Sequence, residues 1–500
     1  MSFVGLLEGI ANVMTPGNLL FAFLGCLLGT LVGVLPGLGP VSAVAILFPL
    51  TTYLPPTGMV IALAAIYYGA MYGGSTTAIL MNIPGEVSSV PTALDGFAMT
   101  RQGRAGPALA IAAIVSFVAG IFGTVVLYLV GPPLARFALL FGPAEYFGLA
   151  VFSLTAIAGL SGRSVIRGLI MAAVGMVLAA VGIDVGSSVT RLTLGSGALL
   201  QGFDIVPVMI GLFGIGEVLR ELKEGSPGIF QGRLGRLLPS GEELRQGMAA
   251  GARATVLGFL LGLLPGMLPS ITSFLAYSYE KQRSRHPERF GRGAIEGVAA
   301  PEAANNAAAM AGFVPLLSLG IPTSPTMALI LAALIVYGLI PGPTLFTENA
   351  AFTATVIASF LVANVILLIL NLPLVGLWVR IARIPYRILA PVILGVCVAG
   401  AYSIRNTMFD VWVALAFGLV GWVLTEWSWP LAPLVLGFIL GPMAETSFRQ
   451  AISISPAIFL QRPIFLGFVA LAGVSLWLTR RWNLGAAEKG EAGAEVRAAK

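Results

Sequence analysis

The sequence predicts an all-α polytopic membrane protein of about 12 transmembrane helices, with two re-entrant helical hairpins in an inverted repeat. Three observations carry this. Apolar residues make up 57% of the 500, and Asp, Glu, Lys and Arg only 10%, whereas a soluble surface needs roughly 25–35% charge. Mean hydropathy is +0.93, so the bulk of the chain must face lipid. The 62 glycines and 32 prolines are too many for plain helical rods and point to broken or closely packed transmembrane helices.

Crossing about 30 Å of hydrocarbon takes about 20 apolar residues. Such spans fall near 19–35, 57–73, 107–130, 144–160, 164–183, 198–219, 294–319, 325–340, 348–370, 388–404, 408–424 and 462–479, with shorter apolar pieces at 40–54, 254–264, 269–279 and 429–441. The long polar stretch 220–253 reads as a cytoplasmic linker between two transmembrane halves, 1–219 and 254–482. The Ala/Glu/Lys-rich tail 483–500 reads as disordered. Residues 1–18 carry no basic segment of the kind that opens a cleavable signal peptide.

No Lys or Arg precedes Arg101, and eleven of the 28 lie between Arg220 and Arg292. These cations sit in short loops between apolar spans, where they read as the positive-inside signal and not as a nucleic-acid surface. Counting crossings places Arg101, Arg104, Arg163, Arg167, the 220–253 linker and Arg380, Arg383 and Arg387 inside. It places 184–197 outside, with Arg191 and Arg405 as lone outside arginines. The N-terminus then lies outside and the C-terminus inside.

The halves resemble each other. GTLVGVLPGLGP (29–40) and GFLLGLLPGMLP (258–269) agree at seven of twelve positions. Glycines four apart (25, 29, 33; 258, 262) form small-residue stripes suited to close helix packing. Pro-Gly then breaks the helix, with hairpin tips at Pro36, Gly37 and Gly39 and at Pro265 and Gly266. Each half also carries an Ile-Pro break, Asn82-Ile83-Pro84-Gly85 and Gly320-Ile321-Pro322-Thr323. Arg253 and Lys281 flank the second motif only about 27 residues apart, so each arm spans roughly half a membrane at 1.5 Å per residue. The first motif has no flanking cation and enters from the opposite side.

Inverted repeats with broken helices at mid-membrane are the mark of secondary transporters. A freed helix N-terminus offers N–H groups to a carboxylate without a lysine in the membrane. Ser75, Thr76, Thr77, Asn82, Gly85, Asn305, Asn306, Thr323 and Ser324 are therefore the candidate substrate-binding residues. Two adjacent amides in an alanine-rich helix are costly unless satisfied. Glu302 lies on their face, three and four residues earlier. An ionisable residue inside the membrane is a functional candidate by default, so Glu302 and Asn305 are the candidate coupling-cation ligands. Glu86 and Asp95 read as loop residues, and Asp184 and Arg191 as an outside loop open to a partner.

Several chemistries are excluded. The lone histidine, His286, sits in the basic loop KQRSRHPER and cannot build a triad or a zinc site. Lysines occur only at 223, 281, 489 and 500, none in a phosphate-loop context. Cys26 and Cys397 lie in apolar runs as packing residues. No catalytic set, cofactor site or structural metal site is expected; Na⁺ or H⁺ is the expected coupling ion. A stand-alone carboxylate transporter, a membrane sensor or scaffold, and an intramembrane enzyme are the competing readings.

The motifs resemble those of the large membrane subunit of bacterial tripartite tricarboxylate transporters, the TctA family, from about Gly33 to Arg449. The resemblance rests on GVLPGLGP (33–40), YGGSTTAILMNIPGE (72–86), DIVPVMIGLFGIGEVL (204–219), GAIEGVAAPEAANNAAAMAGFVPLLSLGIP (293–322) and GLIPGP (338–343). It implies an inner-membrane complex with a small membrane subunit of about four helices and a periplasmic solute-binding protein. It also implies import of small carboxylates, citrate among them, driven by Na⁺ or H⁺. The motif residues it carries over are Ser75, Thr76, Thr77, Asn82, Pro84, Gly85, Glu86, Glu302, Asn305, Asn306 and Pro322. Thr323-Ser324-Pro325 departs from the family's usual Gly-Ser, and Val185-Gly186-Ser187 from its proline-containing loop.

Overall fold

The computed structural model describes residues 3–35, 38–160, 164–184, 186–224, 235–381, 386–477 and 479. The first hairpin tip at Pro36-Gly37, the linker centre 225–234, Arg163, Val185, Arg383 and the tail 483–500 lie outside the described residues.

The chain runs α1 (Phe3–Val13), α2 (Pro16–Val34), α3 (Pro40–Thr51), α4 (Pro56–Met81), α5 (Val90–Arg101), α6 (Ala105–Ala138), α7 (Pro143–Leu160) and α8 (Val165–Ala179). A short antiparallel ladder then pairs Gly182–Ile183 with Thr190–Arg191. Next come α9 (Ile205–Met209), a π-helical turn (Ile210–Ile215), α10 (Gly216–Glu224), α11 (Gly241–Gly262), α12 (Pro269–Arg283), α13 (Glu296–Ala311), α14 (Phe313–Leu319) and α15 (Pro325–Val336). The chain closes with α16 (Pro343–Thr347), α17 (Ala350–Asn371), α18 (Val375–Ile381), α19 (Tyr386–Arg405), α20 (Met408–Glu426), α21 (Leu431–Ile454), α22 (Ile458–Gln461) and α23 (Pro463–Trp477).

Among the described residues, seven helices are long and apolar enough to cross a membrane: α2, α4, α6, α17, α19, α20 and α21. Shorter apolar helices, among them α1, α3, α7, α8, α15 and α23, account for much of the remaining apolar sequence. Proline and glycine set the difference from the uninterrupted spans read in the sequence. Pro315 has no N–H for the carbonyl of Ala311, so the stretch 294–319 divides into α13 and α14. The stretch 198–219 becomes α-helical only at Ile205, after a 3-10 turn at Gly197–Leu199 between Gly195 and Gly202, which turn the chain with positive φ. Conversely, α4 runs past Gly73-Gly74 to Met81. Large apolar side chains such as Leu129, Val392, Trp412 and Leu419 are exposed on the helices, as lipid-facing positions require.

The helices form two compact units. One comprises Met1–Ala138 and Val206–Trp422, the other Leu139–Ile205 and Val423–Lys500. Both sequence halves thus contribute to the first unit.

In the first unit, α4 is buried from Gly58 to Leu80 and α13 from Gly297 to Ala311. Each is packed by a glycine-striped partner. Gly25, Gly29 and Gly33 of α2 lie on Ala62, Ile66 and Ala70 of α4, and a Cβ on Gly29 would stand 2.3 Å from the Ile66 carbonyl oxygen. Gly258 and Gly262 of α11 lie on Ala304 and Ala308 of α13, and a Cβ on Gly258 would stand 2.4 Å from the Ala304 carbonyl oxygen. One sequence offset relates Ile66 to Ala304, Ala70 to Ala308 and Asn82 to Gly320. The last pair close α4 and α14 in the left-handed conformation, at φ 57° and 72°. The repeat is therefore one of packing register and helix caps as well as of letters.

The second unit packs α8 on α21 through Gly175, which lies on Leu434, and Gly437, which lies on Ala172.

Candidate functional site

Alanine and glycine let four helices of the first unit approach α13 closely. Gly123 of α6 lies on Met310, and Gly258 and Gly262 of α11 on the alanines. Into this packing α13 places a carboxylate. Glu302 is 1% exposed. One of its oxygens accepts a hydrogen bond from Ser75 Oγ at 2.6 Å, and the other from Thr92 Oγ1 at 2.6 Å. Ser75 sits near the end of α4 and Thr92 in the first turn of α5. Glu302 thus joins residues of both sequence halves.

One turn on, Asn306 Nδ2 lies 2.8 Å from Ser116 Oγ of α6, 3.0 Å from the Glu302 carbonyl oxygen and 2.7 Å from Asn305 Oδ1. Asn305 Nδ2 and Asn306 Oδ1 are buried and unpartnered.

Beside Glu302 lies a narrow cavity lined by Tyr72, Ser75, Thr76, Ser116, Glu302 and Asn371 along with small apolar side chains. It has room for about one water-sized sphere. Tyr72 Oη and Asn371 Oδ1 are buried without a hydrogen-bond partner.

The other candidates occupy different surroundings. The backbone of Ser75, Thr76 and Thr77 is helical, so within α4 it offers no freed N–H groups; only hydroxyls remain for a ligand. Thr77 Oγ1 turns back to the Gly74 carbonyl at 3.2 Å. Asn82 is exposed, and its N–H caps α4 on the Thr77 carbonyl. Gly85 is a close-approach residue: its N–H donates to the Gly74 carbonyl at 3.4 Å, and a Cβ on it would stand 2.7 Å from the Gly33 carbonyl oxygen. The first Ile-Pro break thereby lies against the end of α2, and Gly39 faces Glu86. In the second half Gly266, at φ +85°, donates its N–H to the Thr323 carbonyl at 3.3 Å, while Ser324 caps α15 by accepting from Met327 N–H at 3.3 Å. Pro265 is buried beside it. Gly33 and Gly39 in the first half and Gly266 in the second thus meet the Ile-Pro segment of their own half.

Two acidic residues have structural tasks. Asp95 is fully buried and accepts four hydrogen bonds, from the N–H groups of Gly291, Gly293 and Ala294 at 2.8–2.9 Å and from Tyr277 Oη at 2.9 Å. It fixes the turn into α13. Asp184, in the second unit, belongs to a closed ring of alternating charge: Asp184–Arg191 at 2.8 Å, Arg191–Glu445 at 2.7 Å, Glu445–Arg449 at 2.6 Å and Arg449–Asp184 at 2.8 Å. The Ser187 hydroxyl and the Arg449 guanidinium hold the Asp184 carboxyl well below the usual carboxylate range. The loop it anchors exposes Val189, Leu192 and Leu194.

Thr92, Tyr72, Ser116 and Asn371 are site residues that sequence reasoning misses. Their partners lie far along the chain, and no spacing rule links them. Among the described residues, no group of three or more His, Cys, Asp and Glu side chains converges to hold a metal.

A protein-family model described as "Tripartite tricarboxylate transporter TctA family" matches residues 19–436. Two relatives come from Agrobacterium vitis. One, an uncharacterized 52.8 kDa protein in the TAR-I ttuC' 3' region, is 46% identical over 93% of each chain. The other, an uncharacterized protein in the TAR-II ttuC' 3' region, is 48% identical over 42% of this chain and 87% of its own. No solved structure matches.

Proposed function

The chain belongs to the tripartite tricarboxylate transporter TctA family, and from that premise we propose that it is the large membrane permease subunit of a tripartite, ion-gradient-driven importer of small organic anions, tricarboxylates and dicarboxylates such as citrate among them. Its partners are a small membrane subunit of about four helices and a periplasmic binding protein that delivers the anion. It works in the bacterial inner membrane, with the N-terminus periplasmic and the C-terminus cytoplasmic.

The observation that carries the reading is the meeting of both halves at Glu302, where hydroxyls and amides converge in a buried setting with no lysine or arginine in the cavity lining. An anion crossing there is held by hydroxyls such as Thr76, Thr323 and Ser324, by Asn305 and Asn306, and by backbone at the Ile-Pro breaks. The coupling cation sits near Glu302.

The arrangement of two opposed re-entrant hairpins has its own support. Arg253 of α11 and Glu280 of α12 pair bidentately at 2.8 and 2.6 Å, tying the arms of the second hairpin at similar distances from its tip. Arg104 pairs with Glu243 at 2.5 Å and donates to the Gly293 carbonyl at 3.2 Å, which joins three segments that the charge pattern assigns to the cytoplasm.

The test is uptake of radiolabelled di- and tricarboxylates into proteoliposomes holding both membrane subunits, with the binding protein outside. Wild type accumulates anion only with all three components and an ion gradient. Asn305→Ala abolishes uptake while inserting normally; normal uptake by that variant removes the proposed site.

A further inference from the structure

We propose that the cavity beside Glu302 binds one dehydrated monovalent cation of sodium size through an all-oxygen shell of Glu302, Asn371, Tyr72 and the neighbouring hydroxyls. The inference rests on the transporter reading and gives its coupling ion a chemical class and a ligand set.

The first support is an unbalanced charge. A buried carboxylate is costly unless paired or coordinating an ion. Ser75 and Thr92 bring dipoles to Glu302 but no charge. The other cavity residues are Tyr72, Thr76, Leu109, Ala112, Ala113, Ser116 and Asn371, all neutral, and among the described residues no ion pair to Glu302 occurs.

The second support is a pair of idle oxygens. Tyr72 is 5% exposed and Asn371 7%, yet Tyr72 Oη and Asn371 Oδ1 lack partners while both residues line the cavity. Leaving such a group unsatisfied is costly. The Asn371 amide is oriented by its other end, since Nδ2 donates to the Leu367 carbonyl at 2.9 Å. A flipped amide would set oxygen against oxygen, so Oδ1 is the atom left for a ligand.

The competing occupants each leave something unanswered. A water satisfies Tyr72 and Asn371 but leaves the carboxylate unbalanced. A proton on Glu302 balances the charge but leaves both oxygens idle; proton and water together answer both, and the pH arm of the test below separates that pair from a cation. A divalent ion such as Mg²⁺ retains several waters and seeks more carboxylates, while this space holds about one water-sized sphere beside one carboxylate. Asn305 is not in this shell, because it does not line the cavity.

The test uses the purified full-length protein in detergent, without substrate or partners, titrated with NaCl at constant ionic strength against choline chloride, with KCl as a second arm. Thermal unfolding reads the result. Sodium raises the melting temperature saturably, potassium does so less and choline not at all. Glu302→Gln and Asn371→Leu lose the sodium shift. Tyr72→Phe, which keeps shape and guards against a folding artefact, weakens half-saturation about tenfold. A wild type indifferent to sodium, a shift that follows pH instead, or one that survives Glu302→Gln and Asn371→Leu overturns the proposal. Because the assay contains no organic anion, a negative result leaves the uptake reading standing. Failed uptake with intact sodium binding removes the uptake reading and leaves the cation site.

Discussion

Helices α4 and α13 hold equivalent places in the first unit and do different chemistry. Each is the buried member of a glycine-packed pair, and each leads to a left-handed cap and an Ile-Pro break. At equivalent positions, Tyr72, Ser75 and Thr76 line the polar cavity, whereas Met310, Phe313 and Val314 are apolar and the Phe313 ring packs at a tilt on Phe360, centroids 4.6 Å apart. Conversely, Glu302 has Ala64 as its counterpart. A duplicated frame need not duplicate its site: one helix supplies the charge, the other the hydroxyls, and they meet across the repeat.

The sharpest way to break the comparison is to ask whether the halves face opposite ways. Single cysteines replacing Tyr53, beside the base of the first hairpin, and His286, beside the base of the second, are both on exposed positions. An impermeant maleimide should label Tyr53→Cys in intact spheroplasts and His286→Cys only after lysis, an all-or-none difference. Labelling of both from one side ends the inverted reading.

A middle-sized effect tests the shared frame. Gly29→Ala and Gly258→Ala meet carbonyl oxygens at 2.3 and 2.4 Å, so each should cost about 1–3 kcal/mol of stability by overpacking. Matched losses in thermal unfolding sustain the equivalence; one silent variant breaks it.

The smallest effect separates this frame from the second unit, where a charge ring replaces glycine packing around the 182–191 loop. Asp184 has a depressed folded pKa, so its stabilisation is full above the unfolded value of about 3.9 and fades as pH falls below it. Limited proteolysis of the loop should therefore stay flat from neutrality to about pH 4 and rise only below that. Arg449→Ala should raise cleavage at neutral pH and shrink its further rise below pH 4.

Much of this was legible in the sequence, and the limits have physical causes. The glycine stripes, the paired breaks and Glu302 could be read because each is a local departure from lipid-compatible composition. Packing replaced the freed N–H groups expected at Ser75–Thr77 with an unbroken helix, since Gly73 and Gly74 serve close approach to Thr30 and Glu86 and do not end α4. Thr92 and Asn371 stayed hidden because a threonine near a helix start and an asparagine near a helix end look like ordinary terminal residues. Only the fold brings them to Glu302 or its cavity. Asp184 and Arg191 read as an open loop, and their ring partners Glu445 and Arg449 lie too far along the chain for any sequence pattern to join them.

The alanines of α13 have one more consequence. Ala304 and Ala308 lie beneath Gly258 and Gly262, and Ala300 continues their four-residue spacing. A slip of α11 along α13 toward Ala300 by one turn, about 5.4 Å, would set Gly258 and Gly262 on alanine again. The first pair lacks this freedom, because Ile66 stands between Ala62 and Ala70 and would have to climb over a neighbour. In ratchet terms, the second pair has evenly spaced shallow notches and the first a single deep one.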